Sequence, residues 1–321
     1  IITNEDQYIS EGNNFDADWE NFCLTGEGSC CSNTEYDALV DFYISTNGDN
    51  WNNNDGWLTN CDPCGLETGN APWFGLVCNS DGMIKQFGLT SNNLTGTLPK
   101  SINNFNEMFW FDVSRNSLTG VFPDICNWED LFILKIGNSF QVGNNLFTGH
   151  LPICLNTFEN LVEVLAEYAG FGGPLPNFDP ATQNLINLRV DGNGLTGNIP
   201  ESYSSFNWGT LDISHNNLDG CYDYRLFSLN ETNADISDGN NFDAPWEDFV
   251  SSGDGQCCDA DIILDAASLV SGVFSSSSTI TVSGCINPPL NITFNAPTVI
   301  YNIPFEVKSG ATVTTFLTGC H

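Results

Sequence analysis

Basic residues are scarce in this chain. Its 321 residues include seven lysines and arginines against 40 aspartates and glutamates, which gives a formal net charge of -33. Nucleic acids and anionic membranes are held mainly through Lys and Arg, so neither is expected as a partner. The acidity itself is common in soluble and salt-tolerant proteins and does not identify a site.

Long apolar runs are also missing. The chain contains no stretch of about 18 consecutive apolar residues, so we predict no membrane span. It opens on Ile1 without a basic segment, which indicates a removed signal peptide or a start within a longer protein. Thirteen cysteines with only two methionines are typical of an oxidising compartment. We therefore expect a secreted, extracellular or cell-surface protein.

Catalytic motifs are absent too. The three histidines are isolated, and no G-x-S-x-G, H-E-x-x-H or P-loop pattern occurs. Residues 192–197 match G-x-G-x-x-G, but their glycines belong to a repeat described below and no βαβ unit surrounds them. The sequence therefore predicts that the protein is not an enzyme.

No cofactor is expected, and structural calcium is the one alternative. Clustered acidic side chains supply the hard oxygen ligands that calcium prefers. The candidates are Asp49 and Asp55 in one cluster and Asp238 and Asp243 in another. Neither cluster has the D-x-D-x-D-G spacing of an EF-hand.

What the sequence does contain is a repeat. The pattern L-x-L-x-x-N-x-L-T-G-x-L/I-P returns, complete or truncated, between residues 85 and 220. The repeated glycines are Gly96, Gly120, Gly149, Gly173, Gly197 and Gly220, spaced by 24, 29, 24, 24 and 23 residues. This period indicates a solenoid whose units bury their apolar faces against their neighbours.

Each unit begins with two apolar residues separated by one, which predicts a short strand with one buried face. These pairs are Phe87/Leu89, Phe111/Val113, Leu134/Ile136, Val164/Ala166, Leu188/Val190 and Leu211/Ile213. An asparagine follows in most units, namely Asn92, Asn116, Asn145, Asn193 and Asn216. We expect these amides to bond the backbone of adjoining coils and to form a ladder.

The L-T-G-x-L/I-P pattern resembles the leucine-rich repeats common in plant receptors and in bacterial and algal surface proteins. The resemblance implies an α/β solenoid with a helical N-terminal cap and a cysteine-bearing C-terminal cap, and residues 85–220 would form the repeats. Residues 32–84 resemble the N-terminal cap. Its helix over Glu35–Tyr43 is predicted to bury one face, formed by Tyr36, Leu39, Val40 and Tyr43.

A second, longer duplication flanks the repeats. Ile9–Cys31 returns as Ile236–Cys258, with 15 of 23 positions identical. The second copy follows the last repeat, so we interpret residues 221–258 as the C-terminal cap. The first copy, in residues 1–31, has no repeats before it. It either ends a preceding unit of a longer protein or docks on a neighbouring subunit.

Residues 259–321 differ in composition from the repeats. Short stretches rich in Ser, Thr, Val and Ile, separated by Gly, Pro and Asn, predict a small all-β module. Its run Ile292–Cys320 resembles small stacked β-helical modules found near the C-termini of surface proteins of Bacteroidota.

The cysteines suggest a disulfide framework. A zinc site at Cys61 and Cys64 is disfavoured because no second C-x-x-C and no nearby His occur. The expected pairs are Cys61 or Cys64 with Cys78, Cys126 with Cys154, Cys221 with Cys257, Cys285 with Cys320, and Cys23 with Cys30. The odd total leaves at least one thiol that is free or pairs with another chain, and the candidates are Cys31 and Cys258.

The concave strands carry an unusual concentration of charge. Three of the seven basic residues lie at outward positions there, which indicates either a ligand site or ion pairs between neighbouring strands. The predicted binding residues are Trp110, Asp112, Arg115, Lys135, Glu163, Tyr168, Arg189 and Asp212, with Glu167, Asp191 and His215 nearby.

Asn93, Asn230 and Asn291 each begin an N-glycosylation sequon and are therefore candidate glycan sites.

Two functional hypotheses follow. The first is an extracellular structural or adhesive protein, a subunit or tandem segment of a surface fibre assembled end to end, with the chain itself as partner. The duplicated segment and the odd thiol motivate it. The alternative is a recognition module whose concave face binds a peptide, protein or glycan.

Overall fold

The computed structural model describes residues 34–67, 69–138, 144–231, 234–252, 257, 259–264, 271–286, 291–295, 298–307 and 312–316. Within these residues no helix has both the length and the apolar character needed to cross a membrane. The first copy of the duplicated segment, with Cys23, Cys30 and Cys31, lies outside them, as do residues 139–143, Cys258 and Cys320.

The solenoid is built from short strands, two in most coils. In chain order they are β1 (Leu76–Cys78), β2 (Ile84–Gly88), β3 (Thr95–Thr97), β4 (Trp110–Asp112), β5 (Ser117–Val121), β6 (Ile133–Lys135), β7 (Leu146–Thr148), β8 (Glu163–Leu165), β9 (Gly172–Gly173), β10 (Asn187–Arg189), β11 (Gly194–Gly197), β12 (Thr210–Asp212), β13 (Asn217–Gly220), β14 (Ala234–Asp235) and β15 (Asn241–Phe242).

These strands form sheets on two sides of the coils. The concave sheet has eight strands in the order β1-β2-β4-β6-β8-β10-β12-β14. Its strands are parallel except for β1, which pairs with β2 in the antiparallel sense. Smaller sheets, β3-β5-β7 and β9-β11-β13-β15, line a second side. All six predicted apolar pairs are fully buried between the two sides, so the predicted solenoid is confirmed.

Short 3-10 helices follow the repeat prolines on the convex side. The chain leaves Pro99, Pro152 and Pro200 in extended or near-extended backbone and enters one helical turn directly after each. Proline supplies the fixed φ at this entry and no backbone donor. The turns are Lys100–Asn104, Ile153–Thr157 and Glu201–Ser205, and two further 3-10 segments, Gly48–Asn50 and Tyr224–Glu231, lie in the caps.

The asparagine ladder joins successive coils. Asn116 is 2% exposed; its Nδ2 donates to Leu89 O at 2.8 Å and to Val113 O at 2.9 Å. Its Oδ1 accepts the backbone N–H groups of Asn92 and Leu94, at 3.0 and 2.9 Å. One side chain thus satisfies backbone groups of two coils, which neither sheet could pair at the turn between them.

The ladder and both sheets continue beyond the predicted end of the repeats at residue 220. Strand β14 pairs with β12, and β15 pairs with β13. Asn240 donates to Ile213 O at 3.0 Å and accepts the N–H of Asn216 at 3.1 Å. The predicted C-terminal cap therefore begins with one more coil. The sequence carries a signal for it, because Asp-Ile-Ser at 235–237 repeats Asp-Ile-Ser at 212–214.

An N-terminal cap closes the first coil. Helix α1 (Thr34–Ser45) buries Ala38, Leu39 and Phe42. The predicted face is therefore displaced by about one residue, because Val40 is only half-buried and Phe42 occupies the centre of the contact. The Phe42 ring lies 4.6 Å from the ring of Phe87 and 5.8 Å from that of Trp51. Aromatic side chains thus cover the apolar end of the stack.

The other end is closed by helix α2 (Trp246–Ser252). Trp246 and Phe249 of this helix pack on the Tyr222 ring at 5.3 and 4.9 Å.

The structure forms the disulfides Cys64–Cys78, Cys126–Cys154 and Cys221–Cys257, which match three of the predicted pairs. Cys61 is also disulfide-bonded.

The C-terminal module is an all-β unit of five parallel strands. They are β16 (Asp259–Leu264), β17 (Gly272–Ile286), β18 (Asn291–Asn295), β19 (Thr298–Val307) and β20 (Thr312–Phe316). Strand β19 runs through Pro304, although a proline cannot donate to a ladder. The strand continues because its pairing with β17 skips Ile303 and Pro304, so the missing proline donor is not needed.

Candidate functional site

The concave sheet presents outward side chains in rows, because equivalent positions of successive coils align in parallel register. One row contains Asp112, Lys135, Leu165, Arg189, Asp212 and Asp235. The next row, two residues further along each coil, contains Ser114, Gly137, Glu167, Asp191 and Ser214. Seven of the eight predicted binding residues are exposed or half-buried on this face.

A cleft of about 290 Å³ opens where Gly137 interrupts the second row. Gly137 has no room for a side chain, because a Cβ there would overlap the backbone N and O of Glu167. The lining residues are Thr90, Asp112, Ser114, Arg115, Lys135, Gly137, Asn138, Leu165 and Glu167. Hydroxyl, amide, carboxylate and cationic groups therefore meet in one depression.

Three predicted binding residues, Asp112, Arg115 and Lys135, line the cleft. Trp110 and Tyr168 do not; Trp110 lies against Gly88, and the Tyr168 ring covers Gly192. Asp112 is 7% exposed, and its Oδ1 accepts the Ser114 hydroxyl at 2.6 Å. This carboxylate therefore holds the local turn together.

Ion pairs connect the strands, as the second interpretation of the charges predicts. Lys135 Nζ lies 2.8 Å from Glu163 Oε1. Arg189 faces three carboxylates: its guanidinium lies 3.2 Å from Glu167, 3.7 Å from Asp191 and 3.8 Å from Asp212. Ion pairing does not exclude ligand binding, because Lys135 and Arg189 keep about 30% of their side chains exposed.

Burial perturbs the acids of this face. Desolvation raises the pKa of Asp191 to about 7, and the Asp212 charge adds to the rise while Arg189 opposes it. Desolvation also raises the pKa of Glu167, against the attraction of Arg189. The pKa of Asp235 rises through desolvation and the charges of Asp212 and Asp238. The charge of the Arg189 guanidinium thus does not offset the desolvation of Asp191 and Glu167.

Asp191→Asn should therefore stabilise the protein at high pH. A carboxyl whose pKa is higher in the folded than in the unfolded state stabilises folding below its unfolded pKa, and this contribution is lost as pH rises through the folded pKa. The gain in unfolding free energy from the substitution should grow by about 2 to 3 kcal/mol between about pH 5 and pH 8. Urea unfolding of both proteins at each pH measures it, and a constant difference would contradict the burial argument.

Several cleft residues were not predicted. Thr90, Ser114, Leu165 and Asn138 follow from the repeat register, since they occupy outward or turn positions equivalent to predicted ones. Gly137 could have been found as a glycine at a position where other coils carry side chains. That the backbone of Glu167 fills the place of a side chain at Gly137 depends on the path of the neighbouring coil.

The predicted metal and glycan sites stay predictions. Among the described residues, metal-binding donor atoms of three acidic, His or Cys residues converge within 4.8 Å only at Asp124, Cys126 and Cys154, where the cysteines form a disulfide. Asn93 is exposed, and its amide Nδ2 donates to Asn50 O at 2.8 Å.

No family model matches the chain. Receptor-like protein 35 of Arabidopsis thaliana is 29% identical over 187 residues, which cover 58% of this chain and 18% of that protein. MDIS1-interacting receptor like kinase 1 of the same plant is 31% identical over 118 residues, 37% of this chain and 11% of that protein. The chain therefore spans less than a fifth of either relative.

A solved structure supports the fold. The crystal structure of a Pollen Receptor Kinase 3 superposes with a TM-score of 0.50 at 23% sequence identity and covers 65% of this chain and 96% of that one. This likeness agrees with the stacked parallel strands. The chain is an extracellular protein with the fold of a leucine-rich repeat ectodomain.

Proposed function

We propose that the chain is a recognition domain that binds a peptide or protein ligand on its concave face. The observation that carries the proposal is the cleft at Gly137, whose walls combine the cations Arg115 and Lys135 with hydroxyl and amide groups. Such convergent polar groups in a concavity orient a ligand. The receptor-like relatives support the same role.

A glycan is the second ligand class. The hydroxyl, amide and carboxylate groups of Thr90, Ser114, Asn138 and Glu167 form the kind of mixed donor and acceptor set that sugars also use. The half-buried Trp110 lies on the same face. A ligand screen must therefore include both peptides and glycans.

The receptor-like relatives favour recognition over the fibre subunit that the duplicated segment suggests. Self-assembly needs the first copy of that segment, which lies outside the described residues. Catalysis has less support: in the described part of the chain, His150 lies near the carbonyl of Gly172, and His215 lies between Asp238 and the Ser214 hydroxyl. That hydroxyl is buried and donates to Asp212 Oδ1 at 2.7 Å, so it is not free to act as a nucleophile.

The test is capture of ligands from peptide and glycan libraries on the immobilised, unreduced protein. For a captured ligand, Lys135→Gln or Trp110→Ala should lower affinity by about tenfold or more, because cationic and aromatic groups commonly anchor such interfaces. Lys100→Gln removes an exposed charge from the convex side and should change affinity by less than about twofold. Equal effects of all three substitutions, or no capture, would exclude a ligand site at Lys135 and Trp110.

A further inference from the structure

The half of the concave face nearest the C-terminal cap carries an excess of carboxylates. Glu167, Asp191, Asp212 and Asp235 lie on successive coils, and in the part of the chain that the structure describes Arg189 is the one arginine or lysine paired with any of them. Two of its three carboxylate contacts, at 3.7 and 3.8 Å, exceed the length of a hydrogen bond. This acidic cluster can therefore accept another cation.

Asp191 supplies an independent sign of an unfilled site. Its side chain is buried, with 7% exposed. Its Oδ1 has no hydrogen-bond partner and faces Arg189 within the acidic cluster. Buried polar atoms are normally paired, so this oxygen marks a place in the acidic cluster where a hydrogen-bond donor is missing.

The spacing of the acidic cluster disfavours a metal ion. No three of its carboxylates place donor atoms within 4.8 Å of one another, whereas such convergence does occur at Asp124, Cys126 and Cys154 in the described residues. A single metal ion needs several oxygens in one small shell. A cation carried on the side chain of a ligand needs only two neighbouring carboxylates.

An apolar row runs along the edge of the same sheet. It consists of Phe109, Phe132, Val162 and Ile186, which directly precede β4, β6, β8 and β10. Backbone hydrogen bonds of 2.8 to 3.0 Å join each member to the next. The Phe109 and Phe132 rings stack at 4.9 Å, while Phe109 and Ile186 remain 37% and 44% exposed. Val162 and Ile186 begin the two coils before β12, and Arg189, three residues after Ile186, is the register partner of Asp212. The row therefore offers exposed apolar surface at the edge of the sheet, on coils that adjoin the acidic cluster.

We propose that this half of the concave face binds a basic peptide segment. An arginine or lysine side chain of the ligand lies over Asp212 and Asp235, and an apolar neighbour packs against Val162 and Ile186. This inference rests on the proposed recognition function and names its ligand class. Charge complementarity supports it, because the chain as a whole carries a net charge of -33 and would repel an acidic ligand.

Asp212 and Asp235 suit this role geometrically. They are register partners on the paired strands β12 and β14, so their Cα atoms are about 4.8 Å apart. Asp235 is exposed, and the Asp212 side chain is 19% exposed. Desolvation, and after it repulsion by the Asp212 charge, raises the pKa of Asp235. A bound guanidinium or ammonium relieves this repulsion.

The experiment measures binding of dye-labelled synthetic peptides by fluorescence anisotropy at about 150 mM NaCl, where diffuse attraction is screened. The probes are an alternating Arg-Leu peptide, an Arg-Ser peptide and a Glu-Leu peptide. Asp212→Asn/Asp235→Asn is the site variant. Asp37→Asn/Asp41→Asn is the matched control, because it removes two exposed charges from helix α1.

The Arg-Leu peptide should bind the native protein about tenfold more tightly than the Arg-Ser peptide, and the Glu-Leu peptide should not bind. The site variant should lose about tenfold in affinity for the Arg-Leu peptide, while the control stays within about twofold. Equal losses in both variants would show diffuse attraction and overturn the inference. The inference would also be overturned if the Arg-Leu peptide did not bind the native protein, and this measurement needs no variant.

The outcome can be separated from that of the proposed function. A library ligand whose capture depends on Lys135 but not on Asp212 and Asp235 would leave concave-face recognition standing and remove the basic-peptide site. A failed library screen together with selective Arg-Leu binding would confine recognition to the acidic cluster.

Discussion

Asn116→Ala is expected to destabilise the solenoid by about 3 kcal/mol or more. The substitution removes the side chain that serves Leu89 O and Val113 O on one side and the N–H groups of Asn92 and Leu94 on the other. Asn116 is 2% exposed, so water does not replace these bonds without opening the stack. The urea midpoint, followed by tryptophan fluorescence under non-reducing conditions, measures the loss.

Asn127→Ala is the matched control. Asn127 is also an asparagine that bonds a neighbouring coil, with its Nδ2 3.1 Å from Asn103 O, but it is exposed. Its loss should cost less than about 0.5 kcal/mol, because water replaces an exposed partner. Similar midpoints for the two variants would mean that the ladder does not hold the coils together.

Gly137→Ala is expected to cost about 3 kcal/mol and to disrupt the cleft. The added methyl group would overlap Glu167 N and O and Ala166 C, all of which are backbone atoms that cannot move aside independently. The shift would also break the hydrogen bond from Asn138 N to Glu167 O, which is 2.8 Å long. Both the urea midpoint and the affinity for any captured ligand should fall.

Gly194→Ala provides the comparison within the same repeats. A Cβ at Gly194 would meet Phe171 O at 3.4 Å and Asn217 Nδ2 at 3.9 Å, which are ordinary contacts. The alanine should be neutral or slightly stabilising, since it reduces the freedom of the unfolded chain. If Gly137→Ala were equally neutral, the neighbouring coil would not define the floor of the cleft.

Much of the fold was predictable because the same pattern of apolar residues, asparagine and glycine recurs in successive units. The apolar pair at the start of each unit, such as Phe111 and Val113, has a period of two and must face a core. The ladder was predictable for a related reason: a buried turn leaves backbone groups that an asparagine can satisfy. The extra coil ending at Phe242 was missed because its glycine position is occupied by Ala244 and the L-T-G signature is absent.

The candidate site was only partly predictable. Register alone places Asp112, Lys135, Arg189 and Asp212 on one face. It does not show that the Asp112 carboxylate accepts a hydrogen bond from the Ser114 hydroxyl, or that the Arg189 guanidinium lies near three carboxylates. Those facts depend on side-chain directions and distances between coils, and one coil's sequence contains neither.

The sequence by itself determined the solenoid, its concave charge and the disulfide pairs Cys126–Cys154 and Cys221–Cys257, because repetition turns local spacing into position along the stack. Tertiary structure alone decided where the concave face opens and which acids remain uncompensated. Gly137 has no room for a side chain only because the next coil lies against its backbone. Asp191 has a raised pKa only because folding buries it beside Asp212.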